Sequence, residues 1–222
     1  MTPPKFLYIA DPMCSWCYGF SPELRAFLSH FPNYDLDIVL GGLRAYQIQP
    51  LDDAMRDMLY GHWEKVALVS GLAFDHKALH RPNFVYDTEP ACRAVVTAKL
   101  LADDLPAGGL LDVFQAISHA FYAQARDITN ETELANILTQ ALNTTVGDAH
   151  FDRGSLHETL TAAATREETR LNFEQIQRWG IRGFPMLLLV TDTGLQIVAN
   201  GFCKTEQLLK AWAETQEPSQ VN

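Results

Sequence analysis

The sequence predicts an α/β fold in which strands and helices at both ends of the chain enclose a large all-helical insert. Three observations carry that reading. Near the N-terminus, Lys5 to Ala10 and Leu36 to Leu40 are short runs rich in aromatic and β-branched residues, closed by Asp11-Pro12 and Gly41-Gly42. Near the C-terminus, Met186 to Val190 and Gln196 to Asn200 flank Thr191-Asp192-Thr193-Gly194, which reads as a tight hairpin. Between these pairs, Leu110, Leu111, Phe114, Ile117 and Phe121 recur at helical spacing, as do Leu134, Ile137, Leu138 and Leu142.

The remaining elements follow in order. A helix is expected from Cys14 to His30, carrying Pro22, which removes one backbone hydrogen bond. Asn130 with Glu133, and Ser155 with Glu158, read as capping boxes that open helices. The second of these helices is expected to run to Trp179 and stop at Gly180. Thr205 to Glu214 reads as a closing helix. Residues 1–43 and 166–215 are therefore assigned to one sheet-containing domain, 44–165 to the helical insert and 216–222 to a flexible tail.

Composition narrows the function classes. Hydrophobic residues make up 47% of the chain, enough for a substantial core. Seventeen basic against 27 acidic residues give a net charge of −10, which repels phosphate backbones and anionic lipid, so neither nucleic acid nor a membrane is an expected partner. The N-terminal apolar run is too short for a signal-peptide core, and no stretch approaches the ~20 apolar residues of a membrane span. A soluble, cytoplasmic protein is expected.

Four cysteines do not make a disulfide framework, and a close pair in a reducing compartment is catalytic or metal-binding. Cys14-Ser15-Trp16-Cys17 is such a pair, placed where the first strand hands over to the first helix. Structural zinc needs four ligands. His76 and His80 stand i, i+4 but are separated from the cysteines by a helix and a strand, so they read as a solvated face or a loop contact. No metal and no bound cofactor are expected beyond the redox-active pair itself.

The strand–Cys14-Ser15-Trp16-Cys17–helix unit and the distant Gly180-Ile181-Arg182-Gly183-Phe184-Pro185 turn resemble the thioredoxin superfamily. The helical insert, and the run from Asp11 to Phe20, resemble its DsbA-like thiol–disulfide oxidoreductases, in the signal-less branch labelled FrnE-like or disulfide-isomerase-like. The resemblance implies a thioredoxin-like fold with a central mixed sheet flanked by helices. It also implies a cis Phe184–Pro185 bond facing the cysteines, with the Phe184 backbone left to pair with an extended substrate.

The chemistry follows from position. A thiolate is the attacking species in exchange, and a helix N-terminus favours that anion. Cys14 is the expected nucleophile, and Cys17, one turn further in, resolves the mixed disulfide. Ser15, Trp16, Phe184 and Pro185 are the expected substrate-binding residues, with Tyr18 adding apolar contact. Tyr8 stands where thioredoxins and DsbA proteins carry a buried acid, so the Cys17 proton must leave through water, the tyrosine hydroxyl or another group. Asp11 reads as a cap of the first helix. Cys92 reads as a buried structural thiol. Cys203, near the start of the last helix, stands where its thiolate also gains support, although inert packing is the favoured reading. The segment carrying Thr88 and Arg93 resembles one that related isomerases and kappa-class glutathione transferases place near their active sites. A helix cap at Thr88 and a surface ion pair at Arg93 are the readings preferred here. Trp63, Phe114, Phe121 and Tyr122 read as core or cleft wall.

The expected function is thiol–disulfide exchange, of disulfide reductase or isomerase type, with peptide or protein thiols and disulfides and with glutathione as a possible co-substrate. The alternative is a glutathione-dependent isomerase or transferase of small molecules on the same scaffold. Those relatives typically carry serine in place of Cys14. A peptide-binding module without catalysis is the third class, and the intact cysteine pair counts against it.

Overall fold

The computed structural model describes residues 5–101, 105–147 and 151–216. Alternation along β1 (Lys5–Ala10) gives the sheet two faces. Phe6, Tyr8 and Ala10 enter the main core, whereas Leu7 and Ile9 face the other side. β1 pairs in parallel with β2 (Asp35–Leu40), placing Phe6 opposite Leu36 and Ala10 opposite Leu40. Parallel neighbours require a crossover, and α1 (Ser15–Leu28) supplies it. On the other edge of β1, β3 (Met186–Thr191) runs antiparallel with Ile9 opposite Met186. β4 (Gly194–Asn200) completes a mixed sheet of order β2-β1-β3-β4. All four strands occur where the sequence predicts them, to within two residues.

Helices cover both faces. α8 (Thr205–Gln216) and α1 pack over Phe6, whose ring centroid lies 5.4 Å from that of Phe27 and 5.6 Å from that of Trp212. α7 (Ala163–Arg178) covers the opposite face, where Ile176 joins Ile9, Met186 and Leu188. The single helix expected from Ser155 to Trp179 is two helices. α6 (Arg153–Thr161) meets α7 at Ala162, whose ψ of 143° is extended. The Thr165 hydroxyl donates to the Thr159 carbonyl across that break, at 2.6 Å. Its cap also differs from expectation: Asp152 accepts the Ser155 N–H at 2.9 Å, so Ser155 lies inside α6. Asn130 does cap α5 (Glu131–Val146), but the Glu133 carboxylate turns to Arg126 instead of closing the box. Gly180, at φ +69°, stops α7 as expected; the N–H groups of Gly180 and Ile181 donate to the carbonyls of Gln177 and Ile176.

The insert contributes α2 (Asp53–Ser70), α3 (Glu89–Leu101), α4 (Gly109–Tyr122), α5 and α6. It shares the core of the sheet, because one apolar cluster runs from Phe6 and Tyr8 through Tyr18 and Trp63 to Phe121 and Leu138. α2 lies directly against α1 because Gly19 has no side chain; a Cβ there would stand 2.6 Å from Val66. That close approach brings Leu59, His62 and Trp63 to the cavity of Cys14. Among the described residues no helix is long and apolar enough to cross a membrane. The expected tail, beyond Gln216, lies outside the described residues.

Candidate active site

β1 ends at Ala10, and the chain turns through Asp11–Met13 before α1 begins. Cys14 is the N-cap residue of α1, with extended backbone (φ −90°, ψ 114°) and its N–H donated to the Asp11 carbonyl at 2.9 Å. At this position the first amides of a helix lack partners within the helix. Cys17 follows one turn later, its N–H donated to the Cys14 carbonyl at 2.9 Å. Both are free thiols. Cys14 keeps 6% exposure whereas Cys17 has none, so a substrate can approach only the first sulfur.

Burial pushes the Cys17 thiol well above the ordinary range, and the neighbouring Cys14 adds to the shift. Behind it, Tyr8 donates to the Cys17 carbonyl at 3.1 Å, as Ser21 does at 2.9 Å. Burial also raises the Tyr8 hydroxyl well above its usual value, so it stays neutral. Asp11 is fully buried and does not cap α1, contrary to expectation. Its two carboxyl oxygens accept the N–H groups of Met13 (2.8 Å) and Leu43 (2.7 Å), tying the cysteine loop to the loop after β2. Burial raises the Asp11 carboxyl, against the pull of those hydrogen bonds.

The Phe184 loop enters β3 beside the end of β1, and so beside Cys14. The Phe184–Pro185 peptide bond is cis. The Cys14 thiol lies 3.9 Å from the Phe184 carbonyl, and the Pro185 carbonyl accepts the Gly201 N–H at 2.8 Å. In front of the thiol opens a cavity of about 540 Å³. Cys14, Ser15, Trp16 and Phe184 all line it, so four of the expected site residues converge. Pro185 stands behind Phe184, and Cys17 lies behind Cys14, neither reaching the cavity wall. Trp16 rests against Phe202, with ring centroids 5.8 Å apart.

Solved structures share this architecture. A candidate protein disulfide isomerase from Nitrosomonas europaea superposes with a TM-score of 0.80 at 29% identity, covering 97% of this chain and 100% of its own. The cytosolic disulfide reductase DsbM from Pseudomonas aeruginosa superposes with a TM-score of 0.70 at 26% identity, over 96% of this chain and 98% of its own, and has also been solved with glutathione. The chain has the DsbA-like thioredoxin fold. A 2-hydroxychromene-2-carboxylate isomerase shares the fold at 11% identity and a TM-score of 0.61, over 95% of this chain and 94% of its own. No protein-family model and no curated protein matches the sequence.

Within this DsbA-like frame several expectations need correction. Tyr18 offers no substrate contact: it is 1% exposed, stacked on Tyr122 at 5.0 Å, with its hydroxyl 3.2 Å from His119 Nδ1. Arg93 is no surface pair but a buried cation held by Glu89, Glu131 and the Leu160 carbonyl. The Thr88 hydroxyl accepts the Arg44 N–H at 3.2 Å, and the Thr88 carbonyl accepts the Cys92 N–H within α3. Burial raises the Cys203 thiol, and Glu23 adds to that, which agrees with the favoured reading of an inert thiol and not with helix-terminal activation. Cys92 is buried as expected, with its thiol pushed up by desolvation. His76 opens a short 3₁₀ helix (His76–His80) and stacks on Tyr60 of α2 at 4.1 Å, and no metal-binding group of side chains occurs among the described residues.

Sequence reasoning missed Arg44, Gln47, Met58 and His62 as cavity residues. The i, i+4 rows Met58–His62 and Leu59–Trp63 were a usable signal, since they place polar and apolar groups on one helix side.

Proposed function

We propose that the protein is a thiol–disulfide oxidoreductase of reductase or isomerase type. It exchanges disulfides with peptide or protein substrates through Cys14 and Cys17 and takes electrons from low-molecular-weight thiols such as glutathione. One observation carries this reading: a slightly exposed thiol at a helix N-terminus opens onto a cavity, with a second thiol sealed one turn behind it. The kinship with DsbM, a cytosolic disulfide reductase solved with glutathione, supports both the direction and a cytoplasmic setting.

In the forward half-reaction the Cys14 thiolate attacks one sulfur of a substrate disulfide. The substrate S–S bond breaks, a substrate thiolate leaves, and a mixed disulfide forms on Cys14. Cys17 then loses its proton and attacks the Cys14 sulfur, which releases the second substrate thiol. The Cys14–Cys17 dithiol has then delivered two electrons and become a disulfide, and two external thiols restore it by forming their own disulfide. Because Cys17 is buried, its deprotonation requires a nearby acceptor.

Insulin reduction, measured as turbidity with dithiothreitol as the electron source, tests the reading. Wild type should accelerate it and Cys14→Ser should not; equal rates would remove the proposal. The small-molecule isomerase alternative has one supporting observation, the shared fold of the chromene carboxylate isomerase. It predicts glutathione-dependent activity that survives Cys17→Ser, whereas exchange predicts stalling at the mixed disulfide.

A further inference from the structure

The cavity in front of Cys14 has an unusual electrical lining. The chain carries 27 acidic and 17 basic residues, yet no Asp or Glu lines this space. A half-buried arginine, Arg44, does. Seven of the described arginines sit against carboxylates, as Arg25 does on Asp112, Arg93 on Glu89, Arg126 on Glu133 and Arg170 on Glu167, whereas Arg81, for one, turns to carbonyls and the Phe84 ring. Among the described residues Arg44 has no such partner. Its Nη2 instead meets the Met55 thioether sulfur at 2.9 Å.

A guanidinium has five N–H donors and a thioether is a weak acceptor, so Arg44 is under-satisfied where it stands. Its backbone is nevertheless fixed: the N–H donates to the Thr88 hydroxyl at 3.2 Å, and the carbonyl accepts the Thr88 N–H at 3.5 Å. A positioned cation with spare donors, in a cavity free of acid, is matched by a planar anion that takes two parallel hydrogen bonds. Gln47 and His62 line the same space and add further polar groups. Its volume of about 540 Å³ lies within the range of small-ligand sites and exceeds what the reacting sulfur alone requires.

We propose that this cavity is a carboxylate-recognising subsite anchored by Arg44, which selects thiols and disulfides bearing a carboxylate a few bonds from the reacting sulfur. The inference rests on the exchange reading and adds a substrate class to it. Arg44 acts here as a specificity residue, holding the carboxylate while Cys14 attacks the sulfur. The −10 charge of the chain disfavours anions in general, so a preference for them needs a local cause such as this one.

The test uses two disulfides of similar size, 3,3′-dithiodipropionate, which carries two carboxylates, and bis(2-hydroxyethyl) disulfide, which is neutral. Reduced protein is mixed with each, and its oxidation is followed by acid quench and thiol counting. Dividing the anion-to-neutral rate ratio by the same ratio for free dithiothreitol removes the intrinsic reactivity of the two reagents. Wild type should give a normalised ratio above one. Arg44→Met should lower it about tenfold, equivalent to about 1.4 kcal/mol. Arg44→Lys should lower it less, since it keeps the charge and loses the fork. A ratio left unchanged by Arg44→Met, with both rates falling together, would mean that Arg44 acts on the Cys14 sulfur or on the fold, and the anchor would be overturned while exchange stood. Failure of wild type to react with either disulfide would remove the exchange reading and the anchor with it.

Discussion

Replacing Arg93 by methionine should destabilise the protein by about 3–5 kcal/mol, the range for stripping one partner from a buried ion pair. The magnitude follows from the surroundings of the guanidinium, which is 1% exposed. Its Nε and Nη2 donate to the two Glu89 oxygens at 2.8 and 3.2 Å, Nη2 also reaches Glu131 at 2.8 Å, and Nη1 donates to the Leu160 carbonyl at 2.6 Å. Methionine fills much of the same volume, so little cavity cost arises. Glu131 retains Arg166 and is partly exposed, so its loss is small. Most of the cost comes from Glu89, itself 5% exposed, left charged in the interior without a counter-ion. A domain of total stability about 5–15 kcal/mol would lose a large fraction of it. Urea unfolding followed by far-ultraviolet circular dichroism measures this; at a slope of about 2–3 kcal/mol per molar, the midpoint should fall by about 1–2.5 M. Glu89→Gln combined with Arg93→Met should cost less than the two single changes summed, because no charge remains stranded. A shift below about 1 kcal/mol for Arg93→Met, or strict additivity in the double variant, would refute the buried-pair reasoning.

Other perturbations probe the site and the sheet. Gly41→Ala places a Cβ 2.0 Å from the Phe184 ring, so the ring must leave the cavity wall. Single-turnover oxidation by a neutral disulfide should slow several-fold, with a stability cost of about 1–3 kcal/mol; a wild-type rate would show that Phe184 is not positioned by this contact. Burial raises the Asp37 carboxyl, but Lys99 at 2.7 Å and Lys5 at 3.3 Å outweigh it and hold the group below the usual carboxylate range. Its stabilising contribution is therefore present above the unfolded value of about 3.9 and lost as pH falls through the lower folded value. The stability gap between wild type and Asp37→Asn should stay constant from pH 7 to pH 5 and close below about pH 4; a gap that widens on acidification contradicts this. Iodoacetamide should label Cys14 first in the reduced native protein, with Cys203 slow and Cys17 and Cys92 silent until unfolding. Peptide mapping that found Cys92 or Cys203 labelled first would overturn the accessibility argument.

Much of the site was legible because it depends on local chain features. A strand ended by Asp11-Pro12 and a helix opened by Cys14 place the reactive sulfur at a helix terminus from sequence neighbours alone. The Gly180-to-Pro185 run likewise carries its own stop and turn. What could not be read depends on packing across the chain. Ala162 breaks a helix without Gly or Pro, because α6 and α7 cover different surfaces and Thr165 satisfies the interrupted turn. His62 reaches the cavity because Gly19 lets α2 settle on α1, and Arg44 because its backbone is pinned to Thr88, far along the chain. Arg93 carried a signal that was passed over: Ala91, Cys92, Ala94, Val95 and Val96 surround it with apolar residues on every side of the helix, a pattern of full burial. Asp11 looked like a cap since it stands before a helix, yet its carboxylate is drawn to Leu43 by the pairing of β1 with β2.

The division of labour between the two sulfurs is tested most directly by trapping. Cys17→Ser, reduced and mixed with glutathione disulfide, should accumulate one glutathione on Cys14 by intact-protein mass spectrometry and remain there. Wild type should pass on to an internal disulfide, and Cys14→Ser should gain no adduct at Cys17. An adduct forming on Cys17 in the Cys14→Ser protein at the wild-type rate would contradict the account.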